Sequence, residues 1–270
     1  MINLLGIPSD INSSFLKGPA KAPDIIREME LGGSANVYSE NGTQIKSSIN
    51  FIDLGNIPID SKNAAELTHN AIVEYVSAVL DDNNSLICMG GDHAVSYPIL
   101  EAHAKIYPQL NILHFDAHPD LYHNFQNNPY SHASPFARIM ENNFAQSLTQ
   151  VGVRTLDPHQ RKQVKKFNVT AFEMHDFNAQ KVLQHINQLD GPLYISIDID
   201  ALDPACAPGV SHHEPGGLQT REIISILQGI KLKVIGADIV EYNPDRDINH
   251  MTAMVAYKLL KEVMALAIKS

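Results

Sequence analysis

Asp116, His118 and Asp120 stand at alternate positions in Asp116-Ala117-His118-Pro119-Asp120, and Asp198-Ile199-Asp200 repeats that spacing far downstream. Each set follows an apolar, strand-like run, residues 111–115 before the first and 193–197 before the second. Side chains in a strand alternate faces with period two, so the pattern predicts two ordered rows of ligand-type groups at strand ends. Four of these five groups are carboxylates. Packed together they repel one another unless cations lie between them. The predicted chemistry is metal binding, by two divalent ions rather than one. His93 joins the set: it follows an apolar run and Gly90-Gly91-Asp92, whose glycines allow a tight turn. A lone histidine there would be structural more often than ligating; beside two acidic rows it is predicted to ligate.

Carboxylates mixed with imidazoles suit Mn²⁺, Fe²⁺ or Zn²⁺ better than Ca²⁺, and the lack of thiolates argues against a structural zinc site. The oxygen-rich donor set tilts the expectation to Mn²⁺. Two such ions about 3.5–4 Å apart can share a hydroxide, a nucleophile at near-neutral pH, which makes hydrolysis the natural reaction.

The elements that must position these groups alternate along the chain. Strands are predicted near 2–8, 49–54, 85–90, 111–117, 149–154, 168–174, 192–199 and 232–240. Helical periodicity falls near 22–29, 64–81, 96–106, 135–143, 159–166, 179–189, 220–229 and 251–268. Repeated βα alternation, with several strands apolar at nearly every position, predicts an α/β fold with a parallel sheet covered on both faces. Thr220 is a candidate cap for the helix that carries Ile223, Ile224 and Leu227. The longest irregular stretch, residues 201–218, is dense in proline and glycine and has the length of a functional loop. No repeat or linker divides the 270 residues, so one domain is expected over 1–270.

Composition excludes several classes. The charge of −10 comes with no basic cluster, so neither nucleic acid nor an anionic membrane is an expected partner. Cys88 and Cys206 are the only cysteines, which fits a reducing compartment and no disulfide framework. No apolar run is long enough to span a membrane, and no signal-peptide pattern opens the chain; the expected location is the cytoplasm.

Further motifs carry a resemblance. Gly90-Gly91-Asp92-His93, the 116–120 row and Ser196-Ile197-Asp198-Ile199-Asp200-Ala201-Leu202-Asp203-Pro204 resemble the signatures of the ureohydrolases, the arginase, agmatinase and formimidoylglutamase superfamily. The likeness is nearest to the plant-type arginase/agmatinase branch. It extends through Asn12–Pro19, Tyr130–Glu141, Pro208–Leu218 and Val240–Pro244, and so covers essentially the whole chain.

The resemblance implies a three-layer α/β/α sandwich around an eight-stranded, mainly parallel sheet, and a homotrimer or homohexamer. It implies two Mn²⁺ per chain, one held by His93, Asp116, Asp120 and Asp198, the other by Asp116, His118, Asp198 and Asp200. It implies hydrolysis of a small guanidino substrate to urea and an amine, with L-arginine first and agmatine next. Glu241 would hold the guanidinium, a planar fork that a carboxylate can meet with two parallel bonds. His132 would protonate the departing amine, with His123 as runner-up, and Asp120 would help to steady the intermediate. His114 is expected in the core or behind the ligands. His212, His213 and Cys206 receive no role. Leu121-Tyr122-His123 differs from the polar groups that follow the acidic row in animal-type arginases. Two other classes stay open here: a mononuclear zinc deacylase, which would not need His93 and Asp120, and a metal-dependent sensor without turnover.

Overall fold

The computed structural model describes residues 1–33, 35–60 and 62–269. Eight strands form one sheet: β1 (Ile2–Gly6), β2 (Phe51–Asn56), β3 (Ser85–Met89), β4 (Asn111–Phe115), β5 (Ser147–Val153), β6 (Thr170–Glu173), β7 (Leu193–Asp198) and β8 (Val234–Val240). Their spatial order is β2-β1-β3-β8-β7-β4-β5-β6, and every pairing is parallel. The sheet is thus wholly parallel, where a mainly parallel one is expected from the resemblance. Strands β3, β4, β7 and β8 are buried along almost their full length, and only the edge strands β2 and β6 are partly open.

Among the described residues, eight α-helices close the two faces. Helices α1 (Ala22–Leu31), α6 (Ala179–Ile186), α7 (Thr220–Gly229) and α8 (Met251–Lys269) cover one side. Their Ile26, Val182, Ile223 and Val263 pack with Ile87, Ile195 and Ile239 of the strands. Helices α2 (Ala65–Val79), α3 (Ser96–Ala104), α4 (Pro135–Glu141) and α5 (Pro158–Lys166) cover the other, where Ile72, Ile99 and Phe136 meet Leu86, Ile112 and Tyr194. Parallel strands need crossover connections, and helices that bury an apolar stripe supply them on either face.

Local signals explain the helix starts. Asp157 caps α5, accepting from the Gln160 amide at 2.7 Å, with Pro158 in the first turn. The start of α7 differs from the expectation. Gln219, not Thr220, is the capping residue, and Glu222 reaches back to accept from the Gln219 amide at 2.8 Å. The Glu222 carboxylate satisfies a donor at that helix end, which leaves Thr220 free to enter the first turn.

Among the described residues no helix is long and apolar enough to cross a membrane.

Candidate metal centre

Four adjacent strands, β3, β8, β7 and β4, deliver the predicted groups at their carboxyl ends, where open α/β sheets bind ligands. His93 follows β3, Glu241 follows β8, Asp198 ends β7 and Asp116 follows β4. Gly91 lies in the turn before His93, and a Cβ there would stand 1.8 Å from the Ser9 carbonyl oxygen. Only glycine lets the two backbones approach this closely, with the Asp92 amide donating to Ser9 O at 2.8 Å.

The convergence of the acids has a different cause from strand alternation. Strand β4 ends at Phe115, so His118 and Asp120 lie beyond it, and Asp200 sits in a short 3₁₀ turn. Each row folds back on its first acid: Asp116 Oδ1 accepts from the His118 amide at 2.6 Å, and Asp198 Oδ1 from the Asp200 amide at 2.7 Å. Asp120 and Glu241 adopt the left-handed region, with φ of 49° and 62°. Such backbone strain is held where a site requires it.

His93 Nδ1 is buried and makes no hydrogen bond of acceptable geometry. Carboxylate oxygens of Asp116, Asp120 and Asp198 surround it at 3.2, 3.2 and 3.1 Å. Its other nitrogen, Nε2, lies 3.0 Å from Ser196 Oγ. Ser196 spends its one proton on Asp238 Oδ1, at 2.6 Å, so it accepts from His93 Nε2–H. That leaves Nδ1 as the place where a second proton or a cation satisfies three acids. His118 Nδ1 stands 3.2 Å from Asp200 Oδ2 and 3.4 Å from Asp116 Oδ1. Two groups of converging donors result, His93/His114/Asp116 and Asp116/His118/Asp200.

The electrostatics agree with a cation requirement. Burial, with Asp116 close by, raises Asp120 to about 6. Burial and neighbouring acids also raise Asp198 well above its ordinary value and raise Asp200 in the same direction. Burial opposes an imidazolium at His93 and at His118, yet the surrounding carboxylates outweigh it and raise both. Asp116 is held low despite burial, by His114, His118 and His93. Acids kept this close, with an unpartnered imidazole nitrogen among them, fit divalent cations.

Glu241 and His132 form one unit. Glu241 Oε1 accepts from the His93 amide at 2.9 Å and pairs with His132 Nδ1 at 2.7 Å. The Ser14 amide donates to His132 Nε2 at 3.1 Å, which demands a lone pair there and places the ring proton on Nδ1. Burial disfavours a second proton, but Glu241, Asp92 and Asp120 outweigh it and raise His132 to about 9. The two tendencies oppose each other; the fixed Ser14 amide sets the resting tautomer.

A cavity of about 230 Å³ opens above these groups, lined by His118, Asp120, His132, Asp198, Asp200 and Glu241 and, further out, by Tyr122, Gln160, His212 and Glu214. His123 is outside it, exposed and paired with Arg138 and Glu141. His212 does line it, with its ring 5.7 Å from that of His132 and 5.3 Å from Phe15. His212, which has no role assigned from the sequence, is thus part of the cavity wall, whereas His213 is exposed and bonds the Pro208 carbonyl. Cys206 bonds Gln219 at 3.1 Å, outside the cavity lining.

The Arginase family model matches residues 1–266. This chain belongs to the arginase family. Arginase 1, mitochondrial, of Arabidopsis thaliana is 45% identical over 97% of this chain and 80% of its own length. An agmatinase of Bacillus anthracis is 32% identical over 97% of this chain and 90% of its own. The solved arginase from Medicago truncatula superposes with a TM-score of 0.91 at 43% identity, covering 98% of this chain and 86% of that one. The family is metal-dependent and acts on small guanidino compounds. One expectation is overturned. The Arabidopsis relative and the arginase of Medicago truncatula are both named mitochondrial, and the cytoplasmic assignment does not stand.

Behind the candidate ligands of this arginase-family site stand Ser196, Asp238 and Gln150, to which the sequence assigns no role. Ser196 shares strand parity with Asp198, and Asp238 is an acid inside the apolar run Val234–Val240, so both carried a readable signal.

Proposed function

We propose that this chain is a binuclear manganese hydrolase that cleaves a guanidino C–N bond to urea and an amine, with L-arginine as first substrate. The observation that carries it is the buried, unpartnered His93 Nδ1 at 3.1–3.2 Å from three carboxylates. One Mn²⁺ would be held by His93, Asp116, Asp120 and Asp198, the other by Asp116, His118, Asp198 and Asp200. When bound, the two ions supply a water-derived nucleophile at near-neutral pH.

The chain's own groups do the rest. Glu241 has Oε1 committed to His93 and His132, so it presents Oε2 to the guanidinium and orients it. His132, neutral with its proton on Nδ1 against Glu241 Oε1, would take up the proton that the attacking water releases and pass it to the departing amine, so that its own charge is restored. Asp120, Asp198 and Asp200 are buried at the floor of the cavity, where their charges are less screened than at the surface.

Agmatine is the second reading. No lysine or arginine lines the described cavity, while Glu214 does, so a substrate ending in an amine meets complementary charge there. An α-carboxylate would rely on neutral donors such as Thr155, Tyr122 and Gln160. We read residues 1–270 as one domain acting as a homotrimer or homohexamer, which light scattering after size-exclusion chromatography tests directly.

The deciding experiment is urea release by Mn²⁺-loaded protein, with L-arginine and agmatine side by side and a chelated control. Manganese-dependent urea is expected, with the higher kcat/KM for arginine. A reversed ratio replaces arginase with agmatinase, and no urea from any guanidino compound sinks the reading.

A further inference from the structure

Gln150 on β5 is fully buried and stands in register with His114 on β4, directly behind the acidic row. A buried amide in a central parallel strand is costly unless it is bonded. Its Nε2 lies 2.6 Å from the Pro119 carbonyl and 3.0 Å from His114 Nδ1. A carbonyl can only accept, so the end facing Pro119 must be the NH₂. The second N–H of that group then points to His114 Nδ1, which must be the lone-pair nitrogen. The His114 proton is left on Nε2, donated to Asp116 Oδ2 at 2.8 Å. Phe136 stacks on the same ring, with centroids 3.9 Å apart, and blocks its rotation. Asp116 Oδ1 is meanwhile fixed by the His118 amide at 2.6 Å.

We propose that Gln150 and His114 are positioning residues for Asp116: Gln150 selects the Nε2–H tautomer of His114, and His114 fixes the carboxylate plane. The inference rests on reading Asp116 as a metal ligand. It also accounts for a cost in the fold. Gln150 Oε1 is buried and has no hydrogen-bond partner, a penalty that an apolar side chain of similar size would avoid. Outer partners of this kind tune metal affinity through the ligand they orient, typically by 10–100-fold.

Two measurements test it without turnover. Long-range ¹⁵N–¹H spectra of metal-free protein should show His114 as a single Nε2–H tautomer, lost in Gln150→Met. Calorimetric Mn²⁺ binding should weaken by about 10–100-fold in Gln150→Met and in His114→Phe. At saturating Mn²⁺, kcat should fall while KM holds. A folded Gln150→Met with wild-type Mn²⁺ affinity overturns the proposal, and so does wild-type His114 protonated on Nδ1. If Gln150→Met fails to fold, the wild-type tautomer and His114→Phe still decide. Wild-type protein that binds Mn²⁺ but releases no urea would sink the hydrolase reading alone.

Discussion

On the proposed reading, the six candidate ligands and the Glu241–His132 pair divide the site into a part that would hold charge and a part that would move a proton. Asp120 belongs to the first. Its carboxylate is pushed up to about 6 by burial and by Asp116, an environment that favours sharing a cation over standing alone. Asp120→Asn should therefore weaken Mn²⁺ binding by more than the 10–100-fold typical of outer partners. Metal content after dialysis reads this, and full retention of both ions would disprove the two-metal assignment. His132 belongs to the second part. His132→Asn should keep its Mn²⁺ and lose about 10²–10⁴-fold in kcat, the usual contribution of a positioned proton donor. Equal loss of metal would instead make His132 structural. The candidate ligands were legible because acids and histidines at alternate positions after apolar runs are too costly to crowd together unless they hold a cation. Ser196 and Asp238 were legible in principle, by parity and by an acid within an apolar strand. Gln150 was not, since an amide inside a strand says nothing of its partner until the neighbouring strand is known.

Elements explain why these side chains arrive oriented. The 201–218 loop is irregular yet anchored. Arg154, just past the end of β5, sends its guanidinium to the carbonyls of Asp200, Ala201, Leu202 and Glu214 at 2.7–3.3 Å. The loop's proline and glycine content signalled irregularity, but nothing in it named Arg154 as the clamp. Helix α3 shows the same principle away from the site. His103 is fully buried, donating Nδ1–H to the Ile99 carbonyl at 2.9 Å, with Nε2 unpartnered and against Gly236. Burial pushes it down to about 4, so the folded state holds it neutral. The unfolded chain takes up that proton near the ordinary value of about 6.5, so protonation favours unfolding. This part of the stability is complete above about pH 6.5 and declines as pH falls toward about 4, by roughly 3 kcal/mol in total. Urea unfolding at pH 7.5 and pH 5 should show a smaller drop for His103→Met than for wild type. Identical drops would mean that His103 titrates normally in the fold.

For the whole molecule, the site is a seam where four strands from distant parts of the chain meet, and its charge ties metal to stability. Anything that binds only the folded state stabilises by mass action, about 2.7 kcal/mol at one hundred times its dissociation constant. Chelation should lower the thermal midpoint by several degrees, with Mn²⁺ restoring it and Mg²⁺ restoring less. A midpoint indifferent to chelation would mean that the acids are satisfied without cations. The sequence alone determined the eight-strand, eight-helix alternation, the choice of candidate ligands and the family resemblance, because periodicity, composition and local motifs are properties of neighbouring residues. Only the tertiary structure decided the order β3-β8-β7-β4, which sets His93 beside Asp198 and Glu241 beside His132. It also decided the turns that gather each acidic row beyond its strand, and which donors and acceptors face the rings of His93, His114 and His132. Strand order is chosen by which apolar faces bury best across long crossovers, and a tautomer by which donor or acceptor the neighbouring strand or loop supplies; neither is written at a fixed spacing in the chain.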